Sequence, residues 1–179
     1  MWNQLRTDAY EGMLAETITM KGHDGYLINA YLSRPLGQGP LPGIVLVHHL
    51  PGWDELFREI ARRFTHHGYV VICPNLYYDF GHGTPDEVAA KARAAGGPHD
   101  DSVVRDCEAA AQHLRSLPYV DASRVGVAGF CLSGRAPLVY AAVRPEDTAA
   151  ISITHGGIYP RDYHGDFDGQ VPVGGLIPH

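Results

Sequence analysis

The N-terminal part of the chain contains two stretches in which apolar and polar residues alternate. Residues 16–20 and 26–32 follow this period of two, which is typical of strands with one buried face. The residues between them, 21–25, include two glycines. Because glycine readily adopts the backbone conformations of tight turns, the pattern predicts an antiparallel hairpin.

Further along the chain, continuous apolar runs alternate with helical periodicity. Such runs are typical of strands that are buried on both faces of a parallel sheet. We predict four of them, at 43–47, 69–74, 124–129 and 149–154. The main helical patterns lie between them, at 54–67, 101–117 and 133–143. Strands that alternate with helices predict an α/β fold with a mostly parallel sheet and right-handed crossovers.

Helical spacing also predicts which side chains point into the core. The expected inward stripes are Leu56, Ile60 and Phe64 in the first helix, and Val104, Cys107, Ala111 and Leu114 in the second. A further helix start is predicted at Thr84-Pro85-Asp86-Glu87. This segment has the form of a capping box with proline at the first helical position.

Composition limits the classes of function. The 179 residues suffice for one domain, 1–179, and 45% of them are hydrophobic, which is enough for a core. The formal net charge of −6 argues against a nucleic-acid partner, because such binders carry a basic face. No apolar run approaches the length of a spanning helix, about 18 residues, and the start lacks a signal-peptide pattern. Three widely spaced cysteines favour reduced thiols in a cytoplasmic protein without membrane association.

The strongest chemical signal is Gly129-Phe130-Cys131-Leu132-Ser133-Gly134, between a predicted strand and a predicted helix. A nucleophile at such a turn needs small residues two positions before and after it, and Gly129 and Ser133 meet this need around Cys131. The start of a helix beneath the sulfur favours the thiolate. Ser133 is a weaker alternative nucleophile, because Arg135 stands where a small residue is required. The remaining alternative is an inert cysteine buried in a tight turn.

A second signal follows the first buried strand, at His48-His49-Leu50-Pro51-Gly52-Trp53. In hydrolases of this architecture, the oxyanion accepts from an N–H of this loop and from the N–H that follows the nucleophile. We therefore expect Leu50 and Leu132 to supply the two donors. Taken alone, the two adjacent histidines are equally typical of a polar loop or of a metal-ligand pair.

Three segments together carry a resemblance to a known family: 43–53, 68–77 and 120–134, in this order. Over about residues 14–158 the chain resembles the dienelactone hydrolases (carboxymethylenebutenolidases). The resemblance implies an α/β-hydrolase fold that is entered through the N-terminal hairpin. It also implies hydrolysis of a small ester or lactone through a cysteine thiolate and an acyl-enzyme, without metal or organic cofactor. Two other functions stay open: acyl transfer with the same elbow, and a non-catalytic binding or regulatory domain.

The sequence departs from the family pattern at two positions of the expected cleft. His49 stands where the family usually has a glutamate near the thiol, and Asp79 stands where an arginine holds the substrate carboxylate. An acid at that place would repel an anionic substrate. The complete set of expected substrate-binding residues is His49, Trp53, Tyr77, Tyr78, Asp79, Arg135 and His155. For the aromatic members and Arg135, packing at the rim of the cleft is an equal alternative.

The third departure concerns the catalytic triad. In this fold the acid and then the histidine follow the nucleophile, and the family pattern places both beyond residue 179. We therefore expect a C-terminally truncated chain whose exposed sheet edge is covered by the remainder of the same protein or by a second copy. An alternative, with Asp166 or Asp168 as the acid and His179 as the base, lacks a strand to hold the acid. The spaced acidic residues of this region lack the features of a calcium or zinc site.

Overall fold

A computed structural model describes residues 12–22, 25–37, 39–131 and 135–154. Within these residues the chain forms six strands and four helices. The strands are β1 (Met13–Lys21), β2 (Leu27–Pro35), β3 (Leu41–Val47), β4 (Val70–Pro74), β5 (Val120–Phe130) and β6 (Ile151–Thr154). The helices are α1 (Glu55–His66), α2 (Pro85–Ala94), α3 (Asp100–Ser116) and α4 (Arg135–Val143). None of these helices has the length and hydrophobicity needed to cross a bilayer.

The strands form one sheet in the order β1-β2-β4-β3-β5-β6. Strands β3, β4, β5 and β6 pair in parallel, whereas β1 and β2 form an antiparallel hairpin that joins the sheet through β4. The predicted hairpin, the parallel sheet and the α/β-hydrolase type of fold are therefore confirmed. Because β3 is central, its carboxyl end lies between those of β4 and β5, where the loops of an active site meet in such sheets.

Alternate residues of the central strands enter two separate cores. Val45 and Val47 pack towards α3 and α4, whereas Ile44 and Leu46 pack towards α1. This explains the continuous apolar run of β3, since each face of the strand is covered by a helical layer. Cys73 and Cys107 are fully buried, in the core as expected.

The predicted inward face of α1 is confirmed only in part: Ile60 and Phe64 are partly buried and pack against the core on this side of the sheet, whereas the prediction for Leu56 is wrong. Leu56 is 52% exposed, and the buried positions are Phe57, Ala61 and Thr65. The small side chains of Ala61 and Thr65 allow the helix to approach the sheet closely, and the Thr65 hydroxyl forms a buried hydrogen bond of 2.7 Å with that of Ser33. Ala61 and Thr65 therefore face the sheet together with Phe57, because close packing and a satisfied polar pair stabilise this arrangement.

The other local predictions agree more closely with the structure. Helix α3 buries Val104, Cys107, Ala111 and Leu114 as expected. The capping box at Thr84 and Glu87 is formed at the start of α2. Strand β5 begins at Val120, four residues before the predicted start at residue 124.

The β6 side of the sheet is the less covered side. In the described residues β6 pairs only with β5, and Ile151 is 38% exposed. A groove of about 420 Å³ lies on the same side, and its lining includes Ile44, Phe64, Tyr69 and Ala128. In the described residues an apolar groove therefore lies beside a strand edge that has one neighbour only.

Candidate active site

Cys131 directly follows β5 and is exposed. Its φ of 59° lies in the left-handed region, and among the described residues it is the only one other than glycine there. This conformation costs an L-residue about 1 kcal/mol, and such strain concentrates at functional sites. The other two thiols are buried, and their burial raises the pKa of Cys73 and of Cys107 well above the usual range.

Arg135 begins α4, four residues after Cys131, but its side chain is almost fully buried. Its Nη1 donates to Asp100 Oδ2 at 2.6 Å, which joins the first residue of α4 to the first residue of α3. The guanidinium Nε and Nη2 have no hydrogen-bond partner among the residues that the structure describes. The sequence predicts Arg135 at the cleft, and the structure holds it there in a buried ion pair, since both Asp100 and Arg135 line the cavity beside Leu50. Leu132, the second predicted oxyanion donor, and His155 lie outside the described residues.

His48 joins the loops that follow β3 and β4. The side chain is 1% exposed. Its Nε2 accepts from the Leu76 N–H at 3.1 Å, and its Nδ1 lies 3.0 Å from the His49 carbonyl. An N–H donor on one side and a carbonyl acceptor on the other assign the Nδ1–H tautomer. Burial lowers the pKa of His48 to about 4, so the ring is neutral and structural at pH 7.

His49 points to a different partner. Its Nε2 lies 2.7 Å from Asp54 Oδ2, and its ring packs against Phe57 with the centroids 4.7 Å apart. Asp54 is the N-cap of α1, and its other oxygen accepts from the Phe57 N–H at 3.2 Å. One carboxylate therefore caps the helix and orients the histidine. In the described part of the chain no group of three potential ligands is arranged to hold a metal ion.

The loop around Leu50 is fixed from two sides. The Leu50 carbonyl accepts from the Tyr77 hydroxyl at 3.2 Å, and the Gly52 N–H donates to the His49 carbonyl at 3.0 Å. Gly52 has a φ of 105°, a value that a glycine adopts without strain. Burial raises the pKa of Tyr77 above its usual range, so its hydroxyl stays protonated and remains a donor at neutral pH.

A cavity of about 150 Å³ brings three of the predicted site residues together: Leu50, Tyr77 and Arg135. Val47, Leu76 and Ala136 supply apolar lining. Tyr78 and Asp79 instead line a neighbouring pocket of about 240 Å³, together with residues of the segment before α3. Four of the predicted substrate-binding residues are thus divided between two adjoining pockets, whereas His49 and Trp53 line neither of them.

The contacts of Trp53 favour the packing alternative. Its indole Nε1–H donates to the Cys73 carbonyl at 2.9 Å, and the Arg58 guanidinium lies over its ring, 4.7 Å from the centroid. Both the edge and one face of the ring are therefore occupied by protein. The described contacts leave little of the indole for a substrate.

Two acidic residues of this region escaped the sequence analysis. Asp54 is the first residue of the predicted helix 54–67, and an aspartate at a helix start is a recognised N-cap signal that would have marked it. Asp100 carries no comparable signal, because its partner Arg135 lies 35 residues away along the chain.

The model of the dienelactone hydrolase family matches residues 28–177. The chain belongs to this family. A putative carboxymethylenebutenolidase of Methylorubrum extorquens is 30% identical over 156 residues, which cover 83% of this chain and 51% of that protein. A carboxymethylenebutenolidase of Pseudomonas putida is 31% identical over 136 residues, covering 73% of this chain and 57% of the relative. This chain therefore spans about half the length of these family members.

Solved structures of the family support the same assignment. The crystal structure of a putative dienelactone hydrolase from Klebsiella pneumoniae matches with a TM-score of 0.77 and 26% identity. The match covers 90% of this chain and 67% of that one. The chain thus carries the fold of a hydrolase family.

Proposed function

We propose that the protein hydrolyses a small ester or lactone through the thiolate of Cys131. The observation that carries the proposal is the conformation of this residue. An exposed cysteine with a φ of 59°, at the end of a central parallel strand, has the placement that a nucleophile elbow requires. Membership in a hydrolase family supports the same chemistry.

In the proposed reaction, the Cys131 sulfur attacks the carbonyl carbon and forms a tetrahedral intermediate. The negative charge passes to the carbonyl oxygen, which accepts hydrogen bonds from the backbone N–H of Leu50 and, by the sequence argument, of Leu132. Collapse expels the alkoxide, which takes up a proton, and leaves a thioester on Cys131. Water then attacks the thioester, which releases the acid and regenerates the thiol.

The geometry of the loop after β3 supports the role given to Leu50. Its carbonyl is held by Tyr77, and the flanking backbone is held by His48 and Gly52. A donor whose loop is fixed in advance needs no reorganisation when charge develops on the substrate. The cavity beside it, about 150 Å³, supports a substrate of small size.

The test compares Cys131→Ala and Cys131→Ser with the unaltered protein on p-nitrophenyl acetate. A His66→Gln variant, at the exposed end of α1, serves as a matched control. We expect the alanine variant to lose at least about 10³-fold in kcat/KM, as removal of a nucleophile does elsewhere, and the control to keep its activity. Mass spectrometry during turnover should detect an acyl group on Cys131.

Two outcomes would favour the alternatives. Faster transfer of the acyl group to an added alcohol than to water would identify an acyltransferase. Unchanged ester hydrolysis by Cys131→Ala, or no acylation of Cys131 at all, would overturn the proposal and leave the binding-domain alternative.

The covering of the β6 edge and the location of the protein also belong to the proposal. The exposed Ile151 and the adjoining groove support a covering by the remainder of the same protein or by a second copy. Three free thiols among the described residues support a reducing, cytoplasmic setting.

A further inference from the structure

The register of the sheet brings His49 and Cys131 to the same place. Strands β3 and β5 are parallel neighbours, and their last paired residues are Val47 and Gly129. His49 and Cys131 each follow their paired residue by two positions. Because neighbouring strands lie about 4.8 Å apart, the two residues leave the sheet side by side at its carboxyl edge.

Ring contacts on the α1 side of the sheet link the two segments. The Phe57 ring lies 4.7 Å from the His49 ring and 5.8 Å from the ring of Phe130, the residue before the cysteine. Phe57 is itself fully buried in α1. One fixed aromatic ring therefore holds the histidine and the start of the elbow together.

The contact with Asp54 prepares the His49 ring for proton transfer. Nε2 lies 2.7 Å from Asp54 Oδ2, and the two side chains are only 15% and 25% exposed. A neutral imidazole that donates Nε2–H to this carboxylate presents a lone pair at Nδ1. A nucleophile, a base and a third group that orients the base form the constellation that activates a thiol.

We propose that His49, oriented by Asp54, is a base for the Cys131 thiol. The inference rests on the proposed function and adds a proton acceptor that lies within the described residues. The S–H bond breaks, its electron pair stays on sulfur, and the proton moves to His49 Nδ1. The carboxylate of Asp54 stabilises the resulting imidazolium. His48 cannot do this, because both of its ring nitrogens are already engaged and it is fully buried.

The experiment measures the rate of alkylation of the native, full chain by iodoacetamide at pH 7. Cys73 and Cys107 are fully buried, so the fast phase reports Cys131 alone, and a Cys131→Ala variant provides the blank. A free thiol is only a few per cent thiolate at pH 7. We therefore expect His49→Gln to slow alkylation about tenfold, because only the thiolate reacts. His66→Gln is the matched histidine control and should react at the unaltered rate.

Asp54→Asn separates orientation of the base from capping of the helix. Asparagine caps a helix about as well as aspartate, so α1 should remain intact by circular dichroism while the charge beside His49 is lost. We expect this variant also to slow alkylation, by about three- to tenfold. In His49→Ala, added imidazole should restore part of the rate, whereas the same imidazole should leave the unaltered protein unchanged.

Each result decides the inference. Alkylation at the unaltered rate in Asp54→Asn and in His49→Gln would overturn it, as would slow alkylation in His49→Ala that imidazole does not rescue. Asp54→Asn keeps the test informative where a His49 variant fails to fold. The proposed function is judged separately: if Cys131→Ala abolishes ester hydrolysis while the His49 variants alkylate normally, only the inference about the base fails.

Discussion

The chain leaves the carboxyl edge of the sheet after β3 and again after β5, and the two exits are held in different ways. Residues 48–54, after β3, are tied by hydrogen bonds from His48, His49 and Tyr77. At the exit after β5, Cys131 has a left-handed backbone. The ion pair of Arg135 with Asp100 lies nearby, and two guanidinium nitrogens find no partner within the described part of the chain.

This difference matches the different tasks proposed for the two segments. A loop that binds a developing oxyanion benefits from fixed donors, because fixed donors need no reorganisation during the reaction. A turn that exposes a nucleophile needs an uncommon backbone conformation, and the surrounding structure must impose it. The exit after β3 is therefore held by several hydrogen bonds, whereas the exit after β5 combines a buried ion pair with a strained backbone.

The largest effect is expected at the ion pair that joins the starts of α3 and α4. Arg135→Ala leaves the partly buried Asp100 carboxylate without its partner, and we expect a loss of about 3 kcal/mol in the free energy of unfolding. Urea denaturation measures this value. Asp100→Ala combined with Arg135→Ala should recover part of the loss, because the unpaired charge is removed. Additive losses in the double variant would show that the pair does not act as a unit.

The next prediction concerns the loss of folding stability at acidic pH, which arises from His48 in the segment after β3. The pKa of His48 is about 4 in the folded protein and about 6.5 in an unfolded chain. Between these values the unfolded state binds more protons, so stability is present above pH 6.5 and is lost as the pH falls towards 4. The full loss from this residue is about 3 kcal/mol.

Comparison with His48→Gln isolates this contribution, because other groups titrate in both proteins. The difference in unfolding free energy between the two should shrink as the pH falls from 7.5 to 4. Parallel stability curves would show that His48 is not buried in its neutral form.

A smaller effect, of opposite sign, tests the strain at the elbow. Cys131→Gly removes the cost of a left-handed L-residue, and we expect it to stabilise the fold by about 1 kcal/mol while hydrolysis is lost. Thermal unfolding and the p-nitrophenyl acetate assay measure the two changes. Destabilisation in this variant would contradict the assignment of strain to the turn.

The smallest effect is expected for Tyr77→Phe in the exit after β3. This variant removes the hydroxyl that donates to the Leu50 carbonyl, and we expect a loss of about 1 kcal/mol in stability. If the loop positions the Leu50 N–H, kcat should fall while KM changes little. A change in KM alone would indicate that Tyr77 contacts the substrate instead.

Much of the fold follows from local patterns in the sequence. The hairpin, the four buried strands and the inward face of α3 are encoded by periodicity, which depends on residues close together along the chain. The burial of Thr65 in α1 is not encoded in this way, because its hydroxyl is satisfied by Ser33 from another element. Ala61 and Thr65, which are buried, are also less hydrophobic than Leu56, which is exposed, so periodicity favours the leucine.

For the candidate site, the sequence indicated positions but not partners. The elbow motif located Cys131, and the loop after the first buried strand located Leu50. His48 is buried and joins two loops, whereas His49 pairs with Asp54. This difference depends on the directions of the two side chains, which the sequence of two adjacent histidines does not reveal. The burial of Arg135 depends on Asp100, which reaches it only in the folded chain.

The left-handed backbone at Cys131 also bears on how the sequence changes over generations. A single base change converts a cysteine codon into a glycine codon, and glycine accommodates this conformation without cost. A lineage that no longer uses the thiol thus gains stability from an easily reached mutation, whereas a lineage that keeps cysteine there pays for it continuously. The residue at the end of β5 should therefore record, among descendants of this gene, whether selection still acts on the nucleophile.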